Sequence, residues 1–359
     1  MPTDKKLVIA LVVLAVLGIA VAYQRQKQNA DLAAHSLESE EKSLPKIAVS
    51  EDDVKKVDKI DLDRPPEKDG DKAEDVVMVK KGDDWSLEKP VDAKANATSV
   101  QSMLDALKRM EVKELIDSSK DSYDKYKVTD AKALHAVFYK GKDIVLDAFF
   151  GEDGSRGQMT RINGKDGVFA VKGYSSYVFS KPSKDWRDKT VFKFEEKDVQ
   201  KVSLENENGF FDFEKSGDDW KAKFGKTKEA EKDIDKLDKT KVDSLVRAYK
   251  GLSASDFGDG KQPSDVGLDK PKETLTFAMK DGTATDVITF GNTAEGSNRW
   301  AKRNGSDVLF TVSSWAGDWA VANVDKFQKT DDKKKTDADK DKDKDKKPKG
   351  ITVSNPSTH

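Results

Sequence analysis

The stretch Gly82-Asp83-Asp84-Trp85 occurs a second time in this chain as Gly217-Asp218-Asp219-Trp220. Gly and Asp between two segments of alternating hydrophobicity are typical of a tight turn that joins two β-strands. The tryptophan after each turn is expected to return to the hydrophobic core. We therefore interpret the aspartates as turn residues, and not as a carboxylate pair for metal binding or acid–base chemistry. The repeated stretch predicts a duplicated fold.

A predicted strand precedes each copy of the motif. Residues 57–62 and residues 199–204 alternate apolar and polar side chains, as a half-buried strand does. These strands are 142 residues apart, whereas the two tryptophans of the motif are 135 residues apart. Surface loops tolerate insertions. The difference therefore places an insertion of seven residues after Pro65 and Pro66 in the first copy.

An amphipathic helix is predicted after each copy of the motif, with Asn96 and Asp238 as the N-caps. The apolar residues of both helices recur at i, i+3, i+4 and i+7, which defines one buried face. They are Val100, Met103, Leu104 and Leu107 in the first copy, and Val242, Leu245, Val246 and Tyr249 in the second. The helices are again 142 residues apart. The second copy must therefore carry a compensating insertion, which we place at residues 226–236.

Two β-hairpins are predicted after each helix, because Gly-containing turns separate runs of strand-forming residues. The turns lie at Gly141 and Asn163-Gly164 in the first copy, and at Asp281-Gly282 and Asn304-Gly305 in the second. Each copy then ends in a short aromatic segment. The sequence thus predicts an α+β fold made of two tandem homologous strand-rich units, each with one principal amphipathic helix.

The domain boundaries follow from these patterns. We place unit A at residues 54–190 and unit B at residues 195–327, with the aromatic segments at residues 174–179 and 315–319. Residues 328–359 are rich in Lys and Asp and nearly free of apolar side chains. Such a segment does not bury enough surface to offset the entropy of ordering, so we predict a disordered tail.

The N-terminal segment predicts a transmembrane helix that anchors the two units to a membrane. Residues 7–23 begin with sixteen apolar residues, which as a helix span about 24 Å against a hydrocarbon core of about 30 Å. A cleaved signal peptide is the alternative, since Ala20-Val21-Ala22 fits a cleavage pattern. The short tail, residues 1–6, is expected to stay in the cytoplasm. A polar stalk at residues 24–53 would then connect the anchor to units outside the cytoplasm, on the inner membrane.

Composition excludes several kinds of chemistry. The chain contains 65 basic and 67 acidic side chains, so its net charge of −2 provides no general attraction for nucleic acid. There is no cysteine, which excludes disulfides, thiolate metal sites, cysteine nucleophiles and a lipidated N-terminal cysteine.

The remaining candidate site residues have simpler structural interpretations. His35 lies in the stalk, His359 is the last residue, and His135 alone lies in a predicted strand, where we interpret it as structural. The glycines of residues 151–157 lie between strands and predict a hairpin, not a phosphate cradle. The aspartates of residues 337–345 lack the glycine and the glutamate of a calcium-binding loop. We predict no catalytic, cofactor-binding or metal-binding residue.

Two short motifs carry a resemblance to a known family. Trp85-Ser86-Leu87 with Lys89-Pro90 precedes the helix of unit A, and Gly267-Leu268-Asp269-Lys270-Pro271 precedes the first hairpin of unit B. Together they resemble a bacterial family classed as a domain of unknown function, over roughly residues 54–327. Unit A departs from the second motif, with Tyr126-Lys127-Val128-Thr129 and no proline. The resemblance implies an N-terminally anchored envelope protein with a duplicated α+β unit, often encoded beside gliding-motility-type ABC transporters, and it implies no catalytic residue.

Three hypotheses for the function remain open at this point. The first is a non-enzymatic, single-pass, membrane-anchored cell-envelope protein whose units bind another protein or a polymer, as an accessory of an ABC transport system. The second is an extracytoplasmic solute- or carbohydrate-binding, or carbohydrate-acting, protein with a site between the two units. The third is a structural spacer. We expect unit-specific contacts in the two inserted loops, around Pro65 and Lys226.

Overall fold

In this computed structural model the chain divides into two units between Asp188 and Lys189. The structure describes residues 20–27, 44–66, 68, 70–280 and 285–329. The predicted cytoplasmic tail, most of the predicted anchor and stalk, and residues 330–359 lie outside these ranges. Among the described residues, no helix has both the length and the apolar character needed to cross a membrane. Residues 20–27 are helical and exposed.

Unit A is built on one antiparallel sheet of nine strands. In sheet order these are β4, β3, β2, β1, β6, β7, β8, β9 and β5. The strands are β1 (Lys59–Arg64), β2 (Glu74–Lys81), β3 (Asp84–Lys89), β4 (Ala93–Lys94), β5 (Glu111–Asp117), β6 (Leu134–Lys140), β7 (Asp143–Gly154), β8 (Gly157–Ile162) and β9 (Val168–Lys172). The helices are α1 (Glu51–Lys55), α2 (Ala97–Leu107) and α3 (Ser176–Phe179).

Unit B repeats this architecture strand for strand. Its sheet order is β13, β12, β11, β10, β15, β16, β17, β18 and β14, which is the order of unit A with each strand number raised by nine. The strands are β10 (Val199–Asn206), β11 (Gly209–Ser216), β12 (Asp219–Gly225), β13 (Lys232–Asp233), β14 (Asp256–Phe257), β15 (Glu273–Met279), β16 (Thr285–Thr293), β17 (Arg299–Arg303) and β18 (Leu309–Val312). The helices are α4 (Lys239–Tyr249) and α5 (Ser314–Ala320). The predicted α+β class and tandem duplication of strand-rich units are confirmed.

The predicted helices and caps are present in both units. The Asn96 side chain accepts a hydrogen bond from the Ser99 N–H at 2.9 Å, and the Asp238 side chain accepts one from the Thr240 N–H at 3.1 Å. Each cap thereby satisfies a backbone donor that the first helical turn leaves without a partner. All eight predicted stripe residues are buried. The helices α2 and α4 therefore pack their apolar faces into the cores of units A and B.

The repeated Gly-Asp-Asp-Trp motif forms the turn between β2 and β3, and again between β11 and β12. Trp85 and Trp220 are buried in the respective cores, as predicted. The second aspartate of each turn pairs with a lysine near the start of the following helix. Asp84 lies 3.5 Å from Lys94, and Asp219 lies 2.7 Å from Lys239.

Two strands of each unit are not predicted from sequence, namely the two-residue strands β4 and β13 and the edge strands β5 and β14. After the main helix the chain reaches the far edge of the sheet, where β5 pairs with β9 and β14 pairs with β18. The register of β5 shifts twice within seven residues, and β14 has only two residues. Sustained alternation, which is the sequence signal for a strand, is absent in both because bulges and extreme shortness interrupt it.

The boundaries of both units lie earlier than the predicted ones. Ile47 and Val49, which were assigned to the stalk, are buried in the core of unit A, and the Val49 N–H donates to the Leu107 carbonyl. Val191 and Phe192 belong to the core of unit B, before the predicted start at residue 195. Thr190, assigned to unit A, bridges to Ser253 of unit B. These apolar stretches are too short to show a period in the sequence.

A short loop crosses the sheet at the same place in each unit and explains the second family motif. Val266, Gly267 and Leu268 pass over Gly291, and Gly267 ends a 3₁₀-helix with φ of +75°. In unit A, Tyr126, Lys127 and Val128 pass over Gly151, and Lys127 adopts φ of +56°. The left-handed position that unit B fills with glycine is therefore filled by lysine in unit A.

We expect Lys127→Gly to stabilise unit A by about 0.5–1 kcal/mol, because a non-glycine residue pays a steric penalty in the left-handed region. We expect Gly267→Ala to destabilise unit B by about 1–2 kcal/mol, since a Cβ at residue 267 would also lie 2.5 Å from the Asn292 Oδ1. Urea unfolding of the two variants beside the unchanged protein measures both effects. Equal midpoints for Gly267→Ala and the unchanged protein would contradict the assignment of the motif.

Candidate functional site

Each sheet has one face covered by helices and an opposite face that we call the outer face. In β1, Ile60 and Leu62 point into the core, whereas Lys59, Asp61 and Asp63 lie on the outer face. His135 lies on the same outer face, because it pairs directly with Asp63 across the sheet. The one histidine that sequence analysis placed in a strand is therefore on this polar surface and outside the core.

Two carboxylates flank His135. Its Nδ1 lies 3.1 Å from Asp63 Oδ2, and its Nε2 lies 2.8 Å from Asp147 Oδ1. The second oxygen of Asp147 accepts a hydrogen bond from Asn163 Nδ2 at 2.7 Å. Because carboxylates only accept, both histidine contacts are hydrogen bonds when the ring is doubly protonated. Both ring nitrogens are thus engaged within unit A.

Stacking fixes the plane of the histidine ring. His135 stacks on Phe149 with centroids 3.9 Å apart and an interplanar angle of 1°. On the next strand, the guanidinium carbon of Arg161 lies 3.4 Å from the centre of the Phe149 ring. Arg161 also donates from Nε to the Val128 carbonyl and pairs with Asp130. Phe149 is only 7% exposed as a result, although it lies on the outer face.

Asp63, His135, Phe149, Asp147 and Arg161 form one connected network of contacts, which we call the polar platform. Its residues lie on the neighbouring strands β1, β6, β7 and β8, and their side chains contact one another across the sheet. Within the described ranges, no group of three or more His, Asp or Glu side chains is arranged to hold a metal ion. Both ring nitrogens of His135 have partners within unit A, and the structural role of this residue stays a prediction.

The outer face of unit B carries different residues at the matching positions. The strand pairings align His135 with Thr274, and they align the other platform residues in the same way. Asp63, Asp147, Phe149 and Arg161 correspond to Glu205, Val287, Thr289 and Lys302. The two units therefore share the architecture of their sheets but differ in the residues of their outer faces.

The other predicted site segments fall in turns or outside the described residues. Gly154 and Gly157 close the hairpin between β7 and β8, as predicted. His35, His359 and the aspartates of residues 337–345 lie outside the described ranges. Asp281-Gly282, the predicted turn between β15 and β16, does so as well.

An exposed aromatic side chain occupies the same place in both units. Tyr177 in α3 is 83% exposed, and Trp315 in α5 is 57% exposed. Each is the second residue of the helix that follows the last strand of its unit, while Phe179 and Trp319 of the same helices are buried. The sequence predicts both aromatic segments, but its pattern does not distinguish their exposed rings from their buried ones.

The surroundings of Tyr177 combine aromatic and basic character. The Lys181 Nζ lies 5.3 Å from the centre of the Tyr177 ring and donates to Ser99 Oγ at 3.0 Å. The side chain of Tyr177 thus stands beside a fixed ammonium group. We call Tyr177 and Trp315 the exposed aromatic pair.

Comparison with known proteins returns a family of unknown function. A family model described as Domain of unknown function (DUF4340) matches residues 85–271, just over half of the chain. No curated protein and no solved structure matches the chain. The family match begins at Trp85 in β3 and ends at Pro271 before β15, so it includes both motifs that carried the resemblance. With more than half of its sequence matched, across parts of both units, the chain belongs to the DUF4340 family.

Proposed function

We propose that the protein is a non-enzymatic, single-pass, membrane-anchored component of the cell envelope whose two units bind another protein. In this proposal it serves as an accessory of an ABC transport system. Family membership and the apolar N-terminal residues 7–23 support this placement. The near-balanced charge offers no general attraction for nucleic acid.

The observation that carries the proposal is the exposed aromatic pair. Neither Tyr177 nor Trp315 fills the core, since Phe179 and Trp319 do so from the same helices. Trp and Tyr are the side chains most enriched among residues that dominate protein–protein binding energy. The outer-face residues of the units have diverged, yet both units keep a large aromatic ring at this exposed position. Retention in both copies favours a shared use of these rings as anchors in a partner.

The polar platform around His135 fits this proposal as a second, unit-specific contact. Its charged groups are held in place by stacking and hydrogen bonds, so little side-chain entropy remains to be lost when a partner binds. Rigid complementary charges contribute mainly to specificity and to the rate of association. The aromatic pair would then supply affinity, and the platform would select the partner.

Photo-crosslinking in native membranes tests the proposal. A photoreactive amino acid at position 177 or 315 is expected to capture a transporter subunit or another envelope protein, identified by mass spectrometry. The same probe at Ile144, which is 57% exposed on the hairpin of β6 and β7, is the control. Capture of no envelope protein at either aromatic position would refute the accessory role, and so would equal capture from position 144.

Substitution of the aromatic pair should reduce binding of the partner that the crosslinking experiment identifies. We expect Tyr177→Ala with Trp315→Ala to reduce recovery of the crosslinked partner in a membrane pull-down by about tenfold or more, the usual effect of losing an aromatic anchor. Because both side chains are largely exposed, the free energy of unfolding should change by less than about 0.5 kcal/mol. Unchanged partner recovery by the doubly substituted protein would contradict the anchor role.

A further inference from the structure

A surface pocket of about 450 Å³ lies on the outer face of unit B. Its floor is made by β10, β11 and β15, through side chains that include Ser203, Asp212, Thr274 and Thr276. Phe210 contributes an aromatic ring. The volume is within the range of small-molecule sites, roughly 300–1,000 Å³.

One wall of the pocket comes from a loop that is longer in unit B than in unit A. In unit A, β3 and β4 are joined by residues 90–92, whereas in unit B, β12 and β13 are joined by residues 226–231. Lys228 and Glu231 of this loop line the pocket, and the Lys228 Nζ lies 5.4 Å from the centre of the Phe210 ring. The insertion predicted from the drifting repeat spacing therefore builds a structure that unit A lacks.

The loop is packed against the sheet in a defined position. A Cβ at Gly225 would lie 2.7 Å from both the Glu231 nitrogen and the Thr227 carbonyl oxygen, so the loop backbone closes directly over this glycine. The Lys226 Nζ also donates to the Asn208 carbonyl at 2.8 Å. These contacts hold the wall of the pocket in place.

Hydrogen bonds between the polar side chains of the floor hold these side chains in position. Asp212 accepts from Lys201 Nζ at 2.8 Å and from Ser203 Oγ at 2.5 Å. Burial raises the pKa of the Asp212 carboxyl, but these two hydrogen bonds outweigh burial and hold the pKa below its usual value. Asp212 is therefore a fixed, ionised acceptor at neutral pH.

The charges of the pocket nearly cancel. Two lysines, Lys201 and Lys228, face three carboxylates, Glu205, Asp212 and Glu231. The carboxylates would repel an anionic ligand, and the lysines would repel a cationic one. The pocket therefore has no strong preference for a ligand of either charge. The remaining chemistry consists of hydroxyl groups, ionised acceptors, ammonium donors and one aromatic ring.

We propose that this pocket binds a neutral polyhydroxylated ligand, a saccharide unit, through Thr274, Thr276, Ser203 and Asp212 with Phe210 as an apolar contact. The hydroxyls of a saccharide both donate and accept hydrogen bonds, which matches the mixed donors and acceptors of the floor. Its C–H surface matches the Phe210 ring. The site lies within unit B alone and does not depend on the partner-binding role proposed above.

Unit A supplies an internal comparison. The strand pairings place Val137 where unit B has Thr276, and Val77 where unit B has Asp212. The hydroxyl and carboxylate that define the pocket floor are thus replaced by apolar side chains. The same fold without these groups and without the longer loop is not expected to bind saccharide.

Saturation-transfer NMR on the full chain tests the site with N-acetylglucosamine, glucose, maltose and cellobiose, each at about 10 mM, a concentration that detects millimolar affinity. We expect saturation transfer to at least one saccharide. Thr274→Val with Thr276→Val should weaken binding about tenfold or abolish it. The control is Thr285→Val, the same chemical change on β16 outside the pocket.

A second variant alters the shape of the pocket without replacing a residue that lines it. Gly225→Ala should displace the loop and also weaken binding, while circular dichroism reports whether unit B remains folded. No transfer to any of the four saccharides overturns the proposal. Equal binding by the double threonine variant and by the control also overturns it, because the ligand would then lie elsewhere.

Discussion

Replacing Glu273 with leucine is expected to destabilise unit B by about 3–5 kcal/mol, the typical effect of removing one partner of a buried ion pair. Glu273 is only 5% exposed, and its Oε2 accepts from Arg299 Nη2 at 2.8 Å. The same arginine nitrogen donates to the Gly291 carbonyl at 2.7 Å. Without Glu273, the guanidinium group would remain buried with its charge uncompensated. Urea unfolding, followed by hydrogen exchange of unit B amides, measures the loss.

Unit A has uncharged residues at the positions of Glu273 and Arg299, and these residues suggest a matched control. Leu134 takes the place of Glu273, since each pairs with the equivalent phenylalanine across the sheet. Gln158 takes the place of Arg299, and its Nε2 donates to the Gly151 carbonyl at 2.7 Å. Glu273→Leu combined with Arg299→Gln should therefore recover most of the stability lost in Glu273→Leu. A double variant no more stable than the single variant would contradict the uncompensated-charge explanation.

Gly291→Ala is the second substitution with a large expected effect, about 3 kcal/mol or more of lost stability in unit B, because overpacking against backbone is not easily relieved. A Cβ at residue 291 would lie 2.1 Å from the Val266 carbonyl oxygen. The matching residue in unit A, Gly151, would place its Cβ 2.3 Å from the Tyr126 carbonyl oxygen, so Gly151→Ala should have a similar effect there. The free energy of unfolding from urea titration measures both.

Gly251→Ala separates this steric effect from the general effect of replacing glycine. Apart from Gly251 and its two neighbours in the chain, no residue has an atom within 4 Å of a Cβ built at Gly251. We expect a change of less than about 1 kcal/mol there, within the range seen when glycine is replaced at a site that accepts alanine. Equal losses in Gly251→Ala and Gly291→Ala would show that the crossing loop does not require glycine beneath it.

Local pattern was sufficient to predict the principal helices and most of the strands. The stripe on α2, the Asn96 cap and the turn before Trp85 each depend on residues that are close in sequence, and all are present. The strand β5 was missed because its register shifts remove the alternation on which the prediction depends. The early boundary of unit A was missed because Ile47 and Val49 show their apolar role only when packed on α2.

Local pattern could not predict the candidate sites, because these sites depend on pairing between segments that are distant in the sequence. His135 meets Asp63 and Asp147 only because β1, β6 and β7 lie side by side with a particular register. A shift of one residue would turn the histidine toward the core. Similarly, nothing near Tyr177 in sequence distinguishes it from Phe179, and only the packing of α3 exposes one ring and buries the other.

Periodicity and spacing in the sequence are enough to show that this protein is a tandem repeat. They also locate the helix of each repeat and the two compensating insertions. These features follow from periodicity and spacing, which are properties of neighbouring residues. Tertiary structure alone decided what the repeats carry: the polar platform on unit A, a loop-walled pocket on unit B, and an exposed aromatic ring on each. Such surfaces join residues of separate strands and loops, and their composition depends on register and packing that no local pattern specifies.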